Sequence, residues 1–171
     1  MVKMPHWPIP MGSKAIDLEL SRVKDLLAAL DNPQNDLPPV IHVAGTNGKG
    51  STIAFMKAIF QAAGLKVHAY TSPHLINFNE RINILGTDIS DQFLYEVTEE
   101  CRIAAEKNNI QTTFFEGTTV AAILAFSRVK ADVIILEVGM GGRLDATNII
   151  DNPAISIITS ISTFIYKTSC S

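Results

Sequence analysis

Long apolar runs, paired cysteines and a strong net charge are all absent from this sequence of 171 residues. The two cysteines, Cys101 and Cys170, lie far apart without CxxC spacing, which argues against a disulfide framework and a zinc ribbon. The longest apolar run, Val120–Phe126, is far shorter than the ~18 residues that a membrane span needs. The formal charge of −3 gives no broad basic face for nucleic acid. No apolar stretch typical of a secretory signal stands near the start, so we expect a cytoplasmic protein.

The sequence does contain apolar segments whose spacing is typical of strands and helices. Its length of 171 residues suits one domain. We predict strands at Val40–Ala44, Val67–Tyr70, Thr112–Phe115, Asp132–Leu136 and Ala154–Thr159, with an alternating run at Arg81–Leu85. We predict helices at Asp17–Leu30, Ile53–Ala63, Asp91–Lys107 and Thr118–Arg128. Strands that are apolar throughout and alternate with helices predict an α/β fold, with a mostly parallel sheet covered by helices on both faces.

The glycine-rich stretch Gly45–Ser51 stands between a predicted buried strand and an amphipathic helix. Glycines let backbone N–H groups turn toward an anion, the helix start attracts negative charge, and Lys49 would neutralise a phosphate. The strict Walker pattern is not met, because Val43 stands where it needs glycine and Gly50 where it needs Ser or Thr. A tight turn with a solvated lysine is the alternative, but the combination favours a phosphate site.

Two further loops follow predicted strands and carry polar side chains. Glu137 comes directly after Asp132–Leu136, at a sheet edge where it could bind or orient Mg²⁺, although it could also be an ordinary acidic residue. The next segment, Gly139–Asn148, has the composition of a substrate or nucleotide loop, with a structural turn as the alternative. In Thr71–Arg81, hydroxyls could ligate Mg²⁺, the arginine could pair with a carboxylate or phosphate, and Phe78 could stack on a planar ligand.

Three reactive side chains fall within predicted helices and strands. His42 and His68 lie in strand patterns, so we expect them to be packed rather than catalytic. Cys101 lies on a helical face and is expected to be a core or half-buried thiol.

Together these motifs resemble the folylpolyglutamate synthase and dihydrofolate synthase family, within the wider Mur ligase group. The matching stretches occur in the family's order and are Ile16–Leu18, Val43–Ser51, Thr71–Leu75 with Asn79–Arg81, Phe115–Thr118 and Leu136–Asn148. The resemblance implies a P-loop NTPase-like central domain of the Mur ligase type. On this interpretation residues 1–171 form an incomplete ATP-binding domain, and the C-terminal glutamate-ligase domain is absent.

The resemblance also implies a monomeric ATP-dependent ligase that uses Mg²⁺. It would join the carboxylate of a folate or dihydropteroate to the amine of L-glutamate through an acyl phosphate. Lys49 and Glu137 would be catalytic, and Ser72 and Glu137 would be the metal ligands. The ATP phosphates would be held by Thr46, Asn47, Gly48, Lys49, Gly50 and Ser51. The substrate would be contacted by Arg81, Thr113, Phe114, Phe115, Glu116 and Leu144, and Ser72–Arg81 is similar to the family's mobile folate loop.

The sequence departs from the family at two places. After Ile157–Ile161 the family continues with an Asp-His pair whose histidine is a metal ligand, whereas Ser162–Ser171 stands here, and Glu19 replaces a usual glycine. Two other hypotheses therefore stay open: an inactive nucleotide-binding remnant of such a ligase, or another phosphate-loop enzyme such as a small kinase. Ser72–Leu75 and Gly141–Asn148 argue against the kinase.

Overall fold

The structure, a computed structural model, describes residues 5–8 and 19–162. The predicted motif Ile16–Leu18 and the tail 163–171 lie outside the described residues. The helices are α1 (Ser21–Ala29), α2 (Lys49–Ala62), α3 (Asp91–Lys107) and α4 (Phe114–Arg128). The strands are β1 (Val40–Ala44), β2 (Val67–Tyr70), β3 (Ile82–Ile84), β4 (Thr87–Asp88), β5 (Val133–Glu137) and β6 (Ile155–Ile158). In this part of the chain, no helix is long and apolar enough to span a bilayer.

The described strands form one sheet in the order β4-β3-β2-β5-β1-β6. The four strands β2, β5, β1 and β6 run parallel, while β3 and β4 extend the sheet antiparallel beyond β2. The prediction of a mostly parallel α/β sheet is thereby confirmed. Because β5 and β1 lie in its middle, β5 is buried at every residue and β1 at three of its five residues, which is why both sequences are mostly apolar.

The sheet separates two hydrophobic clusters, and alternate residues of each strand enter one or the other. On β5, Val133 and Ile135 pack with Ile53 and Met56 of α2. The intervening Ile134 and Leu136 belong to the larger cluster built from α1, α3 and α4. Helices therefore cover both faces, as predicted.

The predicted strand at Thr112–Phe115 is wrong, because α4 already begins at Phe114. The Thr113 hydroxyl accepts a hydrogen bond from the Glu116 N–H at 3.3 Å, and the Glu116 carboxylate accepts one from the Thr113 N–H at 2.7 Å. This capping box provides partners for two N–H groups at the helix start, and it outweighs the strand preference of threonine and phenylalanine. Residues 116–126 of α4 are all buried, as predicted for the helix Thr118–Arg128, whereas Ser127 and Arg128 at its end are not.

The last strand, β6, is apolar as predicted but is not covered on both faces. Ile155 is 52% exposed and Ile158 is 68% exposed. Their exposure follows from the position of β6 at the edge of the described sheet, where β1 is its only neighbouring strand.

His68 and Cys101 are packed in the core, as predicted. The His68 Nε2 bonds to the carbonyl of Val129 at 2.8 Å, and the ring stacks on Phe126 with centroids 5.0 Å apart. Burial lowers the pKa of His68, which keeps the imidazole neutral near pH 7. Cys101 is fully buried, and burial raises the pKa of its thiol to about 12, so it is unreactive in the folded protein.

We expect the capping box to be measurable in the stability of the fold. Replacing Thr113→Ala removes the acceptor of the Glu116 N–H and should lower the free energy of unfolding by about 1 kcal/mol. Urea unfolding followed by circular dichroism measures this change. As a control, Ser21→Ala removes an exposed hydroxyl bonded to Glu19 and should change the free energy by less than about 0.5 kcal/mol. Equal effects of the two substitutions would contradict the role given to Thr113.

Candidate active site

Three polar loops lie at one edge of the sheet, where the parallel strands β1, β5 and β2 end. Gly45–Ser51 follows β1, Gly139–Asn148 follows β5, and Thr71–Arg81 follows β2. Val43 stands opposite Glu137, and Tyr70 stands opposite Leu136, so the three strands end at the same level. The edge where parallel strands end is the usual ligand-binding position in α/β proteins.

The loop Gly45–Ser51 requires glycine at two positions with positive φ. Gly45 has φ 137° and Gly48 has φ 84°. A side chain at Gly45 would also collide with Thr159, because an added Cβ would lie 2.0 Å from the Thr159 Oγ1. The loop is therefore pressed closely against the end of β6.

Contacts with the end of β6 use some of the loop's hydrogen-bonding groups. The N–H groups of Thr46 and Asn47 both donate to the carbonyl of Ser160, at 2.9 and 3.2 Å, and the Thr46 hydroxyl bonds to the backbone of Ser162. These bonds fix the first half of the loop. The N–H groups from Gly48 to Ser51, in contrast, open helix α2, and no described side chain caps them. Such uncapped N–H groups at a helix start are available to an anion.

Lys49 and Glu137 face each other across this edge. The Lys49 Nζ donates to the carbonyl of Gly45 at 3.0 Å and lies 3.9 Å from the Glu137 Oε1. The Glu137 Oε2 accepts a hydrogen bond from the N–H of Ser72 at 3.0 Å. The three residues that the sequence assigned to phosphate and metal thus meet in one place, from the start of α2, the end of β5 and the loop after β2.

Glu137 is buried, with only 5% of its surface exposed. Burial raises its pKa, and the Ser72 N–H and the Lys49 ammonium oppose that rise. No group of three or more His, Cys, Asp or Glu in the described residues could hold a metal ion by itself. One carboxylate beside a serine suits Mg²⁺, which commonly takes few ligands from the protein and the rest from phosphate and water.

Arg81 occupies the neighbouring loop in a buried position, with 9% of its surface exposed. Its Nε donates to the His74 Nδ1 at 2.9 Å, and its guanidinium lies 5.4 Å from the ring of Phe78 and 5.9 Å from that of Phe114. No ion pair joins Arg81 to an acidic residue in the described part of the chain. Phe78 itself is 1% exposed, so its ring is not open for stacking on a ligand as the sequence had predicted.

The start of α4 lies against the loop after β5. The ring of Phe115 is 6.1 Å from that of Tyr70, and a Cβ added at Gly139 would come within 2.5 Å of the Phe115 ring. Leu144 is 43% exposed in the same loop. Phe115 therefore links the predicted substrate residues of α4 to those of Gly139–Asn148.

Thr113 and Glu116 already make structural bonds at this helix start. Besides the capping box, Glu116 accepts two hydrogen bonds from the guanidinium of Arg22 on α1, at 2.8 and 3.1 Å. Glu116 is 4% exposed and the Arg22 side chain is 21% exposed, so this pair is a partly buried connection between α1 and α4. A contact between Glu116 and a substrate would have to share the oxygens that hold Arg22 and Thr113.

The sequence reasoning missed two groups that shape the loops. Glu80 accepts hydrogen bonds from the N–H groups of Leu75, Ile76 and Asn77, at 2.7 to 3.0 Å, and these bonds, the Asn77 N–H first, lower its pKa. Asn77 and Glu80 form a capping box, and the spacing Asn77-x-x-Glu80 is the signal in the sequence that predicts it.

The second missed group is Asp145, which is 1% exposed. Its carboxylate accepts hydrogen bonds from the Met140 N–H at 2.8 Å and from the N–H and hydroxyl of Thr147. In turns, an aspartate side chain commonly accepts a hydrogen bond from the N–H two residues later, so the position of Asp145 in this loop was the signal in the sequence for its role.

Comparison with known proteins gives a consistent result. Residues 43–163 match the family described as the Mur ligase middle domain. The dihydrofolate synthase/folylpolyglutamate synthase of Escherichia coli is 43% identical over 152 residues, which are 89% of this chain and 35% of that protein. The predicted resemblance to these synthases is confirmed. The chain spans about a third of the length of this relative.

Solved structures of such synthases also superpose on this fold. Escherichia coli FolC in complex with DHPP and ADP has a TM-score of 0.83 at 42% identity, covering 90% of this chain and 36% of that chain. The bifunctional folylpolyglutamate synthase/dihydrofolate synthase of Yersinia pestis, complexed with AMPPNP and a Mn ion, has a TM-score of 0.81 at 43% identity, covering 89% of this chain and 36% of that chain. By its match to the middle domain over most of its length, the chain belongs to the Mur ligase family.

Proposed function

We propose that this chain forms the ATP site of a ligase that joins a folate or dihydropteroate carboxylate to the amine of L-glutamate. The observation that carries the proposal is the uncapped start of α2, where Lys49 lies 3.9 Å from the buried carboxylate of Glu137. The similarity to synthases solved with ADP or AMPPNP supports the choice of nucleotide. The proposed activity refers to the whole protein, since the chain spans about a third of the length of its Escherichia coli relative.

The phosphates of ATP would bind at the helix start. The free N–H groups from Gly48 to Ser51 would donate to phosphate oxygens, and Lys49 would neutralise their charge. The bonds of Thr46 and Asn47 to Ser160 keep the loop in this shape before the nucleotide arrives. We therefore propose that Thr46 and Asn47 act mainly by shaping the loop.

Glu137 and Ser72 would hold Mg²⁺ beside the phosphates. When bound, Mg²⁺ would neutralise charge that develops on the transferred phosphoryl group. Glu137 is already held in place by the Ser72 N–H, so its second oxygen can face the ion. The same carboxylate keeps Lys49 close to the site.

The organic substrate would lie against Arg81, Phe114, Phe115 and Leu144. A carboxylate is a poor acyl donor, so an oxygen of the substrate carboxylate would attack the γ-phosphorus of ATP and release ADP. The glutamate amine would then attack the carbonyl carbon of the acyl phosphate, with loss of phosphate and a proton. Arg81, buried and without an acidic partner among the described residues, would bind a carboxylate of the substrate.

The other hypotheses differ from this one in testable ways. A remnant would bind ATP without forming an amide, and a small kinase would phosphorylate a substrate without glutamate. The named relatives are synthases, which favours the ligase over the kinase. The predicted monomer and the cytoplasmic location stay predictions.

The ligase proposal is tested by incubating the protein with labelled L-glutamate, ATP and Mg²⁺, with either dihydropteroate or tetrahydrofolate. We expect labelled amide product and ADP in equal amounts. ATP binding by calorimetry without any product would favour the remnant, and absence of both binding and product would contradict the proposal. Comparing the amount of product formed from dihydropteroate and from tetrahydrofolate shows which of the two the protein uses.

We predict that Lys49→Ala raises the Kd for ATP by about 10- to 100-fold, as expected when a hydrogen bond between charged groups is lost. It should also abolish ADP formation. Lys57→Ala is the matched control, because Lys57 lies on the same helix about 12 Å further from the loop. Isothermal titration calorimetry measures both variants. If Lys49→Ala bound ATP as tightly as Lys57→Ala, the phosphate site would not be at this loop.

We predict that Arg81→Gln raises the Kd for dihydropteroate by about 10-fold or more, because a charged partner of the substrate carboxylate is lost. The Kd for ATP should stay within about 2-fold. Arg128→Gln is the control, since Arg128 pairs with Glu100 on the surface. A parallel loss of ATP binding in Arg81→Gln would indicate general damage to the site and not loss of a carboxylate partner.

A further inference from the structure

A chain of hydrogen bonds joins the middle of β1 to the loop Gly139–Asn148. The His42 Nε2 lies 2.8 Å from the Thr147 Oγ1. The Thr147 hydroxyl and N–H both donate to one oxygen of Asp145, and the other oxygen accepts the Met140 N–H. Thr147 and Asp145 are at most 1% exposed. A histidine expected only to pack is thus bonded to the loop that borders the site.

The directions of these bonds determine which nitrogen of His42 carries hydrogen. Because the only hydrogen of the Thr147 hydroxyl points to Asp145, that hydroxyl can only accept from His42. The His42 Nε2 is therefore a donor, and the imidazole acts on Asp145 through Thr147. Burial lowers the pKa of His42 and the charge of Asp145 opposes this, so a neutral ring with its hydrogen on Nε2 is consistent with the geometry.

Asp145 bridges the two ends of a glycine-rich turn. By binding Met140 and Thr147 it closes a segment that contains Gly141 and Gly142, both with positive φ. Glycine-rich backbone has many alternative conformations, so a fixed carboxylate inside the turn selects one of them. Gly139, next to Met140, is the residue in close contact with the Phe115 ring.

We propose that His42 is a positioning residue for substrate binding. Its Nε2–H holds Thr147, Thr147 orients Asp145, and Asp145 keeps Gly139–Asn148 in the conformation that packs on Phe115. His42 does not touch the proposed substrate. The identity of the ligand rests on the proposed function, whereas the link between His42 and the loop rests on the hydrogen bonds alone.

The link to the loop is tested without any ligand by amide hydrogen exchange. His42→Leu removes the donor, so exchange at the Met140 and Thr147 N–H groups should become at least about 10-fold faster. His42→Gln places an N–H at a similar reach and should keep exchange near that of the unmodified protein. If His42→Leu left both amides unchanged, or if His42→Gln were as fast as His42→Leu, the proposal would be overturned.

The effect on binding is tested by calorimetry with dihydropteroate and, separately, with ATP and Mg²⁺. We expect His42→Leu to raise the Kd for dihydropteroate by about 10-fold, through misplacement of the loop, and to change the Kd for ATP by less than about 2-fold. His42→Gln should restore dihydropteroate binding. An equal loss of both ligands would show general damage and overturn the specific role of His42.

A double-mutant cycle with Thr147→Val isolates the bond itself. Once the hydroxyl is gone, adding His42→Leu should raise the Kd no further, whereas additive effects would overturn the proposal. His68→Gln is the control for loss of a packed strand histidine, because His68 bonds to Val129 and Leu85, away from the loop. If the unmodified protein bound no dihydropteroate, the proposed function would fail, and the exchange experiment would still decide the role of His42.

Discussion

The parallel pairing of β1 with β5 is the constraint on which the rest of the site depends. It places Val43 opposite Glu137, so the chain leaving β1 and the carboxylate ending β5 reach the same edge of the sheet. On the other side of β5, β2 delivers Ser72 to the same carboxylate. Since side chains alternate along a strand, a shift of one residue in β5 would turn Glu137 to the opposite face. The register thus determines whether Lys49 and Glu137 can meet.

The electrostatics of this edge favour a ligand that carries both signs of charge. A buried carboxylate is costly, and the pKa of Glu137 rises accordingly, even with Lys49 and the Ser72 N–H beside it. The open start of α2 offers donors for an anion. A cation beside Glu137 and phosphate at the helix start would satisfy both needs together. This complementarity is the physical basis for proposing Mg²⁺ and ATP as a pair.

The sequence predicted elements well where the deciding interactions are local. The bounds of β1 and β2 are those predicted, and Ser90 caps α3 by accepting the Phe93 N–H. The difference at Thr112–Phe115 has a local cause as well, because the Thr113-x-x-Glu116 capping box outweighs the strand preference of these residues. In the candidate site, Lys49, Glu137 and Ser72 lie close together, as their positions after parallel strands predict.

By itself, the sequence determined the α/β class, the glycine positions of the phosphate loop and the polar residues that end each strand, because these follow from periodicity and backbone sterics. Only the tertiary structure decided which loop N–H groups remain free, since Ser160 takes those of Thr46 and Asn47. It also decided that His42 reaches Thr147, 105 residues away. The physical reason is that such contacts depend on strand order and register, which place distant segments side by side and which no short stretch of sequence encodes.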